Sequence, residues 1–165
     1  MEVRRGCSPR ASLRCDDGFV KVLPVDKRPP PDPATPFGER VRMRLRDDVL
    51  VWLATVSGDG TPEPNPARFL WEGETCLVYC TPGARRLRHI RSRPAVSLHF
   101  DHAGRDTVVI AGRATIPHGH APADRVPDFL AKYGHLTAMV TVRWAQRFSV
   151  PLRIELVRTR GHLAG

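Results

Sequence analysis

The tetrapeptide Ser57-Gly58-Asp59-Gly60 constrains the fold of this chain more than any other feature. It follows a nearly continuous apolar run, Val49-Leu50-Val51-Trp52-Leu53-Ala54, and precedes a second strand-like run from Pro62 to Trp71. Glycine and aspartate supply the backbone freedom of a tight turn, so the two runs are expected to fold back as an antiparallel hairpin. Asp48–Val56 is apolar at both alternations, as in a strand buried from both sides. Prolines 62, 64 and 66 cannot donate to a ladder and give the second strand an irregular, edge-like start.

Further strand patterns follow at short intervals. Glu72-Gly73-Glu74 turns into a third strand, Thr75 to Thr81; Ala95–Asp101 and Asp106–Ile116 are rich in β-branched and alternating apolar residues. Val150, Leu152, Ile154 and Leu156 alternate with Pro151, Arg153 and Glu155 as a half-buried final strand. Helical signals are fewer. Thr35 is placed to cap a helix with Pro36 at its first position and Phe37, Val41 and Leu45 at helical spacing. Pro127–Tyr133 reads as a second helix with Gly134 past its end, and Leu136–Arg147 leans helical although Val140-Thr141-Val142 prefers strand. The expected fold class is mainly β with short helices: about six antiparallel strands in a closed or partly closed barrel.

Residues 1–34 mix both charges without periodicity and end in Pro29-Pro30-Pro31-Asp32-Pro33, which marks them as a disordered or loosely docked arm. A transit peptide is the weaker alternative, because Asp16 and Asp17 argue against it. The remainder, 35–165, is expected to form one domain. No run approaches the roughly 18 apolar residues of a membrane span. Cys7, Cys15, Cys76 and Cys80 include no C-x-x-C pair, and Cys76 and Cys80 lie about 13 Å apart along one strand face, too far to bridge. A reducing cytoplasm fits this usage best. His99, Asp101 and His102, or His118 and His120, do not make a compelling metal-ligand set.

The formal charge of +9, from 26 basic and 17 acidic residues, favours anionic ligands or nucleic acid. Its densest expression is Ala84-Arg85-Arg86-Leu87-Arg88-His89-Ile90-Arg91-Ser92-Arg93, between two strand patterns. Wound as a helix, it places Arg85, Arg86, His89 and Arg93 within roughly a 100° arc, apart from the apolar Leu87 and Ile90. A helix entered from a strand aims unpaired N–H groups and guanidinium forks at one point, which suits phosphate. A solvated basic face would show the same pattern. Thr81 and Gly83, a hydroxyl and a permissive backbone beside the proposed anion, favour the phosphate reading. Trp52 and Trp71 read as core or interface packing rather than base-stacking platforms, and a nucleic-acid-binding barrel lacks interleaved exposed aromatics.

From Thr35 to Gly161 the chain resembles the pyridoxamine 5′-phosphate oxidase-like split-β-barrel proteins, most closely their actinobacterial coenzyme F420-dependent oxidoreductases. The resemblance rests on "TPFGERVRMRL" from Thr35, "VWLATVSGDGTPEPNPARFLW" from Val51 and "LVYCTPGARRLRHIRSRPAVSLHFD" from Leu77. "GRA" at Gly112, "AKY" at Ala131 and "FSVPLRI" at Phe148 follow in order. It implies a homodimer with the cofactor at the interface. Tyr79, Cys80, Thr81, Arg85, Arg86, Arg88 and His89 are then expected around the cofactor phosphate, and Asn65, Pro66, Ala67 and Arg68 along its ring. Lys132 and Trp144 are looser candidates, reaching towards the partner subunit's site. Many relatives carry Lys-x-Arg-Asn where this chain has Arg86-Leu87-Arg88-His89, and serine or threonine in place of Cys80, which leaves F420 and FMN both in play.

The resemblance further implies hydride transfer between F420 and a small organic substrate. No side chain is then required as nucleophile or base, which agrees with the lack of a nucleophile elbow, a Walker loop or an H-E-x-x-H helix. The alternatives are an FMN-binding relative and a non-catalytic carrier of flavin, F420 or haem.

Overall fold

The computed structural model describes residues 31–101, 106–134 and 142–163. The expected arm up to residue 30, with Cys7 and Cys15, lies outside the described residues, as do His102 and the first part of the Leu136–Arg147 segment. The elements in chain order are α1 Pro36–Asp47, β1 Val51–Val56, β2 Pro62–Ala67, β3 Phe69–Glu72, β4 Thr75–Cys80, α2 Arg85–Ser92, β5 Ala95–Asp101, β6 Asp106–Thr115, α3 Pro127–Tyr133, α4 Val142–Arg147 and β7 Val150–Leu163. Thr35 caps α1 as its sequence position suggests, its Oγ1 accepting from the Gly38 N–H at 3.0 Å.

All strands pair antiparallel in one seven-stranded sheet of order β2-β1-β5-β6-β7-β4-β3. The second expected strand is therefore two. It breaks at Arg68, so that β2 pairs β1 at one edge of the sheet and β3 pairs β4 at the other. This break dictates the shape. Seven flat strands would hold their edges roughly 29 Å apart, yet a single residue between Ala67 and Phe69 spans at most about 7 Å. The sheet must curl into a barrel whose seam lies at Arg68, a split β-barrel. Prolines at alternate positions of β2 remove N–H groups from one side only, so β2 pairs with β1 and stays an edge on the other side.

Tyr133 of α3 secures the seam. Its hydroxyl accepts from the Phe69 N–H at 2.9 Å and lies 2.8 Å from Phe69 O and 3.1 Å from Val49 O, so it serves backbone groups that no strand pairs there. At the hairpin turn Gly60 has φ +91°, and the Asp59 carboxylate accepts from the Thr61 N–H and from the Ser57 hydroxyl. Gly112 marks a bulge in β6, where a Cβ would meet Glu155 O and Ile154 Cγ2 at 2.7 Å.

The core has two parts. Inside the barrel, Leu53, Phe69, Val78, Leu98, Phe100, Ile110 and Ile154 pack with Val41 and Leu45 of α1 and Leu87 and Ile90 of α2. Outside it, Leu70, Leu77 and Tyr79 pack beneath Phe129 and Tyr133 of α3 and Ala145 of α4. The strand covered on both faces is consequently β4 and not β1. Val51, Leu53 and Thr55 of β1 face the core, whereas Trp52 is 52% exposed and so is not a core residue. Cys76 and Cys80 are free and buried on the inner face of β4.

Candidate functional site

A cleft of about 360 Å³ opens at the seam. The break between β2 and β3 contributes Pro66, Ala67 and Arg68, the end of β4 contributes Tyr79, Cys80 and Thr81, and the start of α2 contributes Ala84 and Arg86. Trp144 and Phe148, with Leu50 ahead of β1, complete the lining. The cleft thus has a polar end at Thr81 and Arg86 and an apolar end at the aromatic pair.

The polar end is built by the turn from β4 into α2. Ala84 N–H donates to Thr81 O at 3.0 Å and closes the turn. The helix then begins on Ala84, which makes no side-chain capping bond, and its first turn holds no acidic residue. The positive end of the helix is thus neither capped by a side chain nor offset by an acidic residue of its own first turn. Arg86 stands beside it and reaches across the cleft to Pro66 O at 3.4 Å. Cys80 lies underneath, and burial pushes its thiol up to about 11 although Arg86 opposes the shift. It remains a neutral thiol at physiological pH and a poor nucleophile.

At the apolar end Trp144 and Phe148 stack with centroids 4.6 Å apart and planes inclined 21°. The Arg68 guanidinium lies 6.0 Å over the Trp144 ring. Tyr79 offers only its ring: its hydroxyl donates to Ala121 O at 2.6 Å, sits 3.3 Å from His120 Nδ1, and is pushed up to about 12 by burial.

Of the residues expected at a cofactor site, the fold brings Pro66, Ala67, Arg68, Tyr79, Cys80, Thr81, Arg86 and Trp144 to one cleft. Asn65, Arg85, Arg88, His89 and Lys132 do not line it. The single arc expected for Arg85, Arg86, His89 and Arg93 is divided among different partners. His89 is buried against Thr55 with Nδ1 3.0 Å from Oγ1, Arg85 lies 4.0 Å from Glu63, and Arg88 is exposed. α2 ends at Ser92, so Arg93 leaves the helix and donates to Ser57 O at 3.1 Å and Gly58 O at 3.0 Å, clasping the hairpin turn. Lys132 donates to Leu45 O at 3.2 Å, at the end of α1. Three lining residues had not been singled out: Phe148, whose i+4 spacing from Trp144 is a readable signal, and Ala84 and Leu50, which carry none.

Among the described residues no group of three or more histidine, cysteine or acidic side chains is placed to hold a metal. Among them, too, no helix is long and apolar enough to cross a membrane.

An antiparallel split barrel with an anion-ready helix start at its seam defines the flavin-binding, pyridoxamine oxidase-like class of barrels. The chain belongs to that family: the family model described as pyridoxamine 5′-phosphate oxidase matches residues 37–160. Solved structures agree on the fold. An F420 reductase superposes with TM-score 0.54 at 23% identity, over 73% of this chain and 94% of that one. A FAD-binding protein from Mesorhizobium loti gives 0.56 at 19% identity, over 74% and 90%. HupZ from Group A Streptococcus gives 0.56 at 18% identity, over 76% and 94%. A search of curated proteins finds no match.

Proposed function

We propose that this protein is an oxidoreductase that binds coenzyme F420 in the seam cleft and transfers a hydride between it and a small organic substrate. The observation that carries the reading is the pairing of Arg86 with a helix start free of side-chain caps, on the same cleft as the Pro66–Arg68 backbone. The donor set fits the group: guanidinium, threonine hydroxyl and helix N–H at one end suit a phosphate, and an apolar wall at the other suits a planar ring. The F420 reductase among the structural neighbours is consistent with it.

The bound cofactor supplies the hydride chemistry. The chain's own residues hold and orient it. Arg86, Thr81 and the first turn of α2 fix the phosphate, Pro66–Arg68 forms the backing for the ring, and Trp144 with Phe148 keeps water from that end. A second subunit, laid against the exposed face of β1, completes the cleft in this reading, and the buried free thiols of Cys76 and Cys80 suit the cytoplasm. FMN is the second reading, favoured by a cleft at the small end of the ligand-pocket range, roughly 300–1,000 Å³.

Titration of the purified protein with F420 and with FMN, followed by quenching of tryptophan fluorescence, separates the two. Tight F420 binding with weak FMN binding supports the first reading, and the reverse replaces it with the second. Arg86→Ala weakens the cofactor that binds by about tenfold or more, the size of a charge-assisted hydrogen bond; unchanged affinity removes Arg86 from the site. Turnover with enones and quinones distinguishes an enzyme from a carrier.

A further inference from the structure

His89 occupies the middle of α2, yet its side chain is only 2% exposed. Nδ1 lies 3.0 Å from Thr55 Oγ1 on β1. Nε2 has no hydrogen-bond partner among the described residues and stands 4.0 Å from Glu63 Oε1 on β2. That same oxygen is 4.0 Å from Nη1 of Arg85, which is 77% exposed on the first turn of α2. One carboxylate oxygen therefore stands between an enclosed imidazole and an exposed permanent cation.

Among the described residues, no other ionisable side chain lies within ion-pair distance of His89 Nε2 or Glu63 Oε1. β1 carries no ionisable side chain, and Glu63 is the one ionisable residue of β2. β6 brings Asp106, which pairs with Arg40 at 2.6 Å, and Arg113, which is exposed. On the helix, Arg86 is turned to Pro66 O, Arg88 and Arg91 are exposed, and Arg93 beyond it is held by Ser57 and Gly58.

A neutral imidazole serves this arrangement poorly. With the proton on Nδ1, the bare Nε2 lone pair faces a carboxylate; with the proton on Nε2, its donor is 4.0 Å from Oε1, beyond hydrogen-bond reach. The doubly protonated ring donates to Thr55 from Nδ1 and draws Glu63 in as a charge-assisted partner from Nε2. A Glu63 carboxylate neutralised by a neighbouring imidazolium attracts Arg85 less.

We propose that His89 and Glu63 form a proton-operated latch on α2: protonation of His89 captures Glu63 and releases Arg85 to a bound anion. His89 is a positioning residue in this scheme, and the proposal rests on the reading that the start of α2 receives the cofactor phosphate. The protonated ring adds positive charge behind the same helix, so both effects tighten anion binding as pH falls.

The test uses the full-length protein and FMN, titrated at constant ionic strength at about pH 8 and about pH 5.5, an interval over which histidine side chains in general can change charge. Relative to Glu63→Gln and His89→Asn, the wild type gains about two- to fivefold in affinity on going to the lower pH, the size of one partly exposed ion pair. The phosphate of free FMN titrates identically in all three experiments, so the comparison removes that common contribution. His89→Asn retains a hydrogen-bonding group towards Thr55, and Glu63→Gln alters only a partly exposed edge-strand side chain. The same pH ratio in all three proteins overturns the latch. Absence of FMN and F420 binding at any pH overturns the cofactor reading instead. The latch is then decided by NMR of the ligand-free protein: the Glu63 carboxylate resonance follows the protonation of His89, and a resonance indifferent to it rejects the proposal.

Discussion

Strands β1 and β4 are almost equally apolar in sequence and meet different fates. β4 contributes Cys76, Val78 and Cys80 to the barrel interior and Leu77 and Tyr79 to the layer beneath α3 and α4, so both faces are covered within one chain. β1 contributes Val51 and Leu53 to the interior, but its outer face leaves Trp52 52% exposed, next to Leu50 at 50%. The difference shows what a run of apolar residues encodes: a demand for cover, without the identity of what supplies it. For β4 the cover is a pair of short helices. For β1 the proposed function would supply it from a second copy of the chain, the interface on which the proposed cofactor site depends.

The largest effect is expected on the covered side. Phe129 is fully buried and packs edge-on to Tyr79 at 5.3 Å and against Tyr133 at 4.7 Å. Phe129→Ala opens a cavity over β4 and costs about 3–5 kcal/mol of folding stability, measured by denaturant unfolding. It also loosens the Tyr133 hydroxyl that holds the seam, so cofactor affinity falls with it. A cost below about 1 kcal/mol would show that the helical layer is peripheral.

The bare side predicts a different phenotype. Trp52→Glu places a charge on the exposed face of β1 and is expected to shift folding stability by no more than about 0.5 kcal/mol. Dimer affinity falls by about 2 kcal/mol or more, as for a central aromatic anchor. Sedimentation velocity reads the oligomeric state directly. A variant that unfolds makes the outer face of β1 part of the monomer's own support, and a dimer that survives unchanged moves the interface elsewhere.

Much of the fold was legible because its signals are local. The Ser57–Gly60 turn, the Thr35 cap, the Pro127–Tyr133 helix and the class of barrel all follow from residues a few positions apart. The break at Arg68 was not, because it follows from closure: a strand read continuously from Pro62 to Trp71 gives no sign that its halves must join opposite edges of the sheet. The candidate site divides in the same way. Strand ends and the start of a helix bring Thr81 and Arg86 to the cleft, since the chain itself carries them there. Helical periodicity alone does not divide His89 from Arg93 as the fold does, because a polar residue on or beside a helix arc goes to whichever partner the neighbouring element offers. Here those partners are the Thr55 hydroxyl and the carbonyls of the hairpin turn.

The smallest expected effect concerns Lys132, on the covered side of the comparison. Its ammonium group lies 3.8 Å above the Phe69 ring and donates to Leu45 O. Burial lowers it from 10.5 to about 8, with Cys76, Asp48 and Asp47 partly opposing the shift. In the unfolded chain the amine keeps its proton up to its ordinary pKa, so between about pH 8 and 10.5 the unfolded state binds more protons than the folded one. This residue's contribution to stability therefore rises with pH across that window and is lost as pH falls through about 8. Buried Cys76, raised to about 12, acts in the opposite direction above its ordinary value of 9.0, so wild-type unfolding alone would blur the two. Comparison with Lys132→Met isolates the lysine: the wild-type denaturation midpoint rises relative to that of the variant from pH 8 to 10.5. Cofactor affinity is expected to stay the same, since the amine is bound to its own chain at the end of α1 and lies outside the cleft. A pH-independent difference would mean that the amine keeps its water in the folded protein, and a loss of cofactor affinity would place Lys132 at the partner subunit's cleft.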